Sequence, residues 1–147
     1  MTTTEGEGAR DCAFAQALTA RLAGCPLAIG RAIAEREALE CRSAVARANC
    51  ATLRALLRER STFALRLPPP GRPVTHAVEL RLQCGGLAGL HEALPGSPSP
   101  ADDVHGLVAA SRQAFGGLAE IPFEAVVAAI MRWQPRRRAT GPGEGQR

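Results

Sequence analysis

Lysine and tyrosine are absent from this 147-residue chain, and aromatic residues make up only 3% of it: four phenylalanines and one tryptophan. So few aromatic rings leave few platforms for stacking unpaired bases, which argues against a single-strand nucleic-acid channel. Apolar runs are short, and none approaches the ~20 residues that a membrane-spanning helix needs. The segment from Met1 to Arg10 lacks the basic start and apolar centre of a secretory signal, so the protein is expected to stay in the cytoplasm. The five cysteines, Cys12, Cys25, Cys41, Cys50 and Cys84, are odd in number and include no C-x-x-C pair. That pattern offers neither a disulfide framework nor a zinc-ribbon spacing, and buried free thiols are expected. Gly85-Gly86-Leu87-Ala88-Gly89 fits neither the dinucleotide fingerprint nor a phosphate-cradling loop with its Lys and Ser/Thr.

What is present fits one domain, because a chain of this size can bury about 68–70% of its unfolded surface. All 18 basic residues are arginine, and the formal net charge is +4. Most of that charge sits in the tail, where Arg136, Arg137, Arg138 and Arg147 face only Glu144. The remaining body is nearly neutral and lacks the electrostatic footprint of a nucleic-acid-binding domain. Residues 1–8, rich in Thr, Gly and Glu, are expected to be disordered, as is the Arg/Gly-rich tail 135–147. Residues 9–134 are expected to form a single globular domain.

Hydrophobic periodicity predicts an α+β, helix-dominated fold with about five helices and one central antiparallel β-hairpin. Phe14, Leu18 and Leu22 mark a first helix over 9–23. Residues 27–60 carry no proline and read as one long amphipathic helix, or two with a break near Asn49. Its small-residue side is Ala34, Ala38, Cys41, Val45, Ala48, Thr52 and Leu56, and its polar side includes Arg36, Glu40, Arg47, Arg54 and Arg58. Alternation then suggests strands near 62–67 and 74–84 around the loop Pro68-Pro69-Pro70-Gly71-Arg72-Pro73. The rival reading makes 75–83 a helix, since Glu, Leu, Arg and Gln favour one. Gly85-Gly86 would end the second strand, and Leu87, Leu90 and Leu94 would form a short helix. Ser99-Pro100-Ala101-Asp102 resembles a helix start, and Gly116-Gly117 a left-handed stop. Pro122 and Pro135 bound the last helix, which carries Phe123, Val126, Val127 and Ile130 with Trp133 beside them.

No catalytic, cofactor or metal site is expected. On one continuous helix Cys41 and Cys50 would point in opposite directions and could not share an ion. His76 and Cys84, eight residues apart on one strand, would stand roughly 26 Å apart, too far for a nucleophile and its base. The candidate interaction residues are Arg36, Arg47, Arg54, Arg58, Arg72 and Trp133. They imply a non-enzymatic adaptor, regulator or complex subunit that binds another protein or a second copy of itself through a helix face and the hairpin. Helices followed by a hairpin with Arg72 at its tip, over roughly residues 40 to 84, resemble the order of elements in winged-helix DNA-binding proteins. That resemblance implies a transcriptional regulator as the alternative, with a thiol- or metal-dependent enzyme as a third class.

Overall fold

The computed structural model describes residues 10–33 and 36–135. The expected disorder of 1–8 and of the tail beyond Pro135 lies outside the described residues. The elements run α1 (Ala15–Thr19), β1 (Ala28–Ile33), β2 (Arg36–Cys41), α2 (Ala44–Leu65), α3 (His76–Ala93), α4 (Val104–Phe115), a 3-10 turn (Leu118–Glu120) and α5 (Phe123–Arg132). The fold is α+β and helix-dominated with one antiparallel hairpin, as the sequence implied.

The hairpin, however, sits at 28–41 and not at 62–84. β1 and β2 pair from Ala28↔Cys41 to Ile33↔Arg36. A third short stretch extends the ladder: the Cys12 N–H donates to the Leu39 carbonyl and the Cys41 N–H to the Arg10 carbonyl, both at 3.0 Å. Helix propensities among ordinary residues differ by at most about 0.7 kcal/mol, so these long-range bonds override an alanine-rich local preference. α2 starts only at Ala44, where the Ser43 hydroxyl accepts the Ala46 N–H at 3.1 Å. Its phase also differs from the one read off the sequence. Ala46, Cys50, Leu53 and Leu57 are buried, whereas Val45 is 73% exposed. The misplaced stripe came from running the helix back through residues that are strands.

The region read as the hairpin is two helix segments and a loop. α2 continues to Leu65 and leaves Phe63 95% exposed. Arg66 ends the helix in the left-handed region at φ 54°, and the following prolines forbid continuation. Thr75 opens α3, its hydroxyl accepting the Val78 N–H at 3.2 Å. Glu79, Leu82, Gln83, Gly86, Leu87 and Leu90 are buried on one side of α3, a three-and-four spacing that alternation had obscured. Gly85 and Gly86 lie inside this helix, with no strand for them to end. The winged-helix order therefore disappears, because helix and hairpin come in the reverse sequence. Ser99 closes a turn, and Asp103 caps α4 by accepting the Gly106 N–H at 2.8 Å. Gly116 ends α4 at φ 84°, and Pro122 precedes α5, as expected.

The core joins Leu53 and Leu57 of α2, Leu87 and Leu90 of α3, Leu107 of α4 and Val126 and Ile130 of α5. α3 packs most extensively on α5. Phe14, just ahead of α1, is fully buried at the edge of this core nearest the hairpin. Among the described residues no helix is long and apolar enough to cross a membrane.

Candidate functional site

Four cysteines from four separate segments line one small cavity. Cys12 belongs to the stretch paired with β2, Cys25 to the turn before β1, Cys41 to the end of β2 and Cys50 to α2. Phe14, Ala46 and Val104 supply apolar wall, and Arg47 and His105 also line it.

Each segment is placed by identifiable bonds. Pairing with β2 carries Cys12 to Cys41: the Asp11↔Glu40 bridge and the Cys12–Leu39 hydrogen bond set that register. The Cys25 turn is seated on the start of α4, where the Gly24 N–H donates to the Pro100 carbonyl at 3.0 Å and the Val104 N–H to the Gly24 carbonyl at 2.9 Å. A Cβ at Gly24 would lie 2.6 Å from the Ala101 carbonyl oxygen, so this approach requires glycine. On α2, Ala46 and Cys50 are one turn apart and face the same way. The Arg47 guanidinium donates to the Cys41 carbonyl at 3.0 Å, tying α2 to the end of β2.

The thiols feel both the apolar wall and one another. Burial, reinforced by the neighbouring Cys12, Cys25 and Cys41 thiols, pushes Cys50 up to about 12. Burial also raises Cys12, with Cys25 and Cys41 adding to the effect. Cys12 and Cys50 therefore stay protonated at neutral pH and make poor nucleophiles. Among the described residues, no three His, Cys, Asp or Glu side chains are placed to hold a single metal ion as they stand.

The arginines expected to form a stripe are dispersed, and three of them are engaged within the fold. Arg36 lies in β2, not on the long helix. Arg47 binds the Cys41 carbonyl. Arg54 donates to Glu79 at 2.7 Å. Arg58 donates to the carbonyls of Pro68, Pro69 and Arg72, at 3.3, 3.3 and 2.7 Å, and so secures the proline loop. Arg72 is exposed in that loop, at no hairpin tip. Glu79 is buried, which by itself would raise its carboxyl. Hydrogen bonds from Arg54 and Gln83, with the charges of Arg54 and Arg58, outweigh that and hold it below the ordinary value. Gln83 passes the constraint on, donating to Glu79 at 2.7 Å and accepting the Ala17 N–H at 3.0 Å. This chain of bonds fixes α1, and with it Phe14, against α3.

Trp133 is half-buried between two open grooves of about 460 and 320 Å³. Leu22 and Leu87 line the larger, Val78 and Leu80 the smaller. Compared with known proteins, the chain matches no family model, no curated protein and no solved structure.

Sequence reasoning missed the thiol chamber because it placed Cys41 and Cys50 on one helix. One signal was available: four of the five cysteines fall between positions 12 and 50. Their convergence depends on the hairpin turning the chain back on itself.

Proposed function

We propose that this protein binds a thiophilic metal centre through Cys12, Cys25, Cys41 and Cys50 and acts as a non-enzymatic, metal-bearing subunit. The observation that carries this reading is that four cysteines from four segments line one small, largely apolar cavity. Thiolate ligands select zinc, copper(I) and iron–sulfur centres over hard cations. Binding would release thiol protons to solvent, because a metal takes the thiolate as its ligand. It would also tie the hairpin and the Cys25 turn to α2, with a stabilisation of about 4 kcal/mol at a free metal concentration of about a thousand times Kd.

Metal analysis of the full chain, purified without oxygen, tests this. The expected result is stoichiometric metal that is lost in Cys12→Ser and Cys41→Ser and retained in Cys84→Ser, which lies outside the chamber. Metal-free wild-type protein that takes up no zinc, copper(I) or iron on addition would end the proposal.

Protein association is the second reading, favoured by Trp133 between its two grooves and by Met131 nearby, 48% exposed. A half-buried tryptophan flanked by apolar hollows suits an interface anchor. Sedimentation across a concentration series is expected to show a self-association that Trp133→Ala weakens at least tenfold. A strict monomer at every concentration would sink it.

A further inference from the structure

The two grooves that flank Trp133 share a charge pattern as well as an apolar lining. The backbone under the indole is held by three contacts. The Trp133 N–H donates to the Ile130 carbonyl at 3.2 Å, and the Arg81 guanidinium donates to the Ile130 and Met131 carbonyls. The Trp133 Cβ also rests against bare backbone, since a Cβ at Gly85 would come 3.1 Å from it. An anchor fixed before its partner arrives lowers the ordering cost of binding.

Leu22 and Leu87 line one groove, and Val78 and Leu80 line the other. Arg21 lines the first and Arg81 the second, and among the described residues no acidic side chain lines either. Among those residues neither arginine pairs with a carboxylate, whereas Arg132 nearby is paired with Glu92 at 2.7 Å. Arg136, Arg137 and Arg138 follow Pro135, which lines the second groove. Chain connectivity alone keeps their Cα atoms within about 11 Å of the Pro135 Cα. Five arginines thus belong to one apolar surface whose grooves hold no acid.

We propose that the Trp133 surface docks an acidic, amphipathic segment of a partner protein; this rests on reading Trp133 as an interface anchor. Aliphatic or aromatic side chains of the segment fill the two grooves, and its carboxylates meet Arg21, Arg81 and the arginines after Pro135. A nucleic acid would meet the arginines but leave the apolar grooves unfilled. A second copy, docked by the same face, sets these arginines against one another, so self-association is weak and the acidic segment displaces it.

The test is selection of random peptides displayed on phage against the full chain, with Trp133→Ala used to remove peptides that bind elsewhere. The expected result is peptides in which large apolar residues lie among Asp and Glu. As synthetic peptides they should bind the wild type at least tenfold more tightly than Trp133→Ala. They should also bind at least tenfold more tightly at about 0.01 M than at about 0.15 M salt, where the screening length shortens from ~30 to ~8 Å. Should Trp133→Ala unfold, Arg21→Glu and a triple Arg136→Gln, Arg137→Gln, Arg138→Gln variant replace it. Each should weaken the same peptides at least threefold and flatten their salt dependence. Peptides without acid enrichment, or binding indifferent to salt and to these arginines, would overturn the acidic partner. A short DNA duplex bound in preference to every selected peptide would do the same. No recovered peptide, beside a self-association that Trp133→Ala weakens, would overturn it and leave the interface standing. Neither peptide binding nor self-association would overturn both.

Discussion

Phe14→Ala is expected to cost about 3–5 kcal/mol of stability, the range for removing a fully buried phenylalanine. Its ring has no exposed surface and lies in the main core while also lining the thiol chamber. The substitution leaves a cavity that the surrounding elements can close only partly. α1 is tied to α3 through the Ala17–Gln83 hydrogen bond, and the stretch before it is paired to β2, so neither can slide inward freely. Thermal unfolding should fall by roughly 10–20 °C for a chain of this length. Phe14→Leu should recover most of the loss. Chemical denaturation checks the first expectation. A loss below about 1 kcal/mol would mean that the α1 segment stands outside the cooperative core.

Alanine at Gly85 or Gly89 should each destabilise by about 1–3 kcal/mol, although alanine is the better helix former by about 1 kcal/mol. A Cβ at Gly85 would come 2.8 Å from the Ile130 Cα. At Gly89 it would come 2.8 Å from the Ala129 Cβ and 3.0 Å from the Val126 Cα. These neighbours are the backbone and first side-chain atoms of α5, which cannot rotate away. The two helices must separate, and Val126 and Ile130 lose contacts over the whole interface. Valine at either position should cost more than alanine. The double alanine variant should fall short of the sum, since the first substitution already moves the helices apart. Gly30 is the control: a Cβ there meets nothing within 4 Å. If Gly85→Ala proved neutral or stabilising in urea unfolding, the close approach of α3 to α5 would be wrong.

The readings that succeeded and failed differ in the reach of the forces behind them. α4 ends at Gly116 and α5 begins after Pro122, both as expected, because a left-handed cap and a proline act on their own backbone whatever lies elsewhere. Residues 28–41, read as helix, form the strands, and residues 76–84, read as strand, are helix. The hydrogen bonds of β2 to Arg10 and Cys12 decide the first, and the docking of the glycine-containing face of α3 on α5 decides the second. Neither partner is visible within a window of ten residues. The arginines show the same limit: Arg54 and Arg58 read as the polar side of a helix and as candidate interaction residues, yet one pairs with buried Glu79 and the other holds the proline loop.

By itself, then, the sequence determined a helix-dominated α+β class, the stop at Gly116 and the proline before the last helix, and the two C-terminal helices, since local backbone preference and amphipathic spacing suffice for these. Only the tertiary structure decided where the hairpin lies, which face of α2 is buried, and that four cysteines spread over 39 positions share one chamber. Those outcomes depend on pairing between segments distant along the chain, whose bonds and buried area exist only once the chain has folded back upon itself.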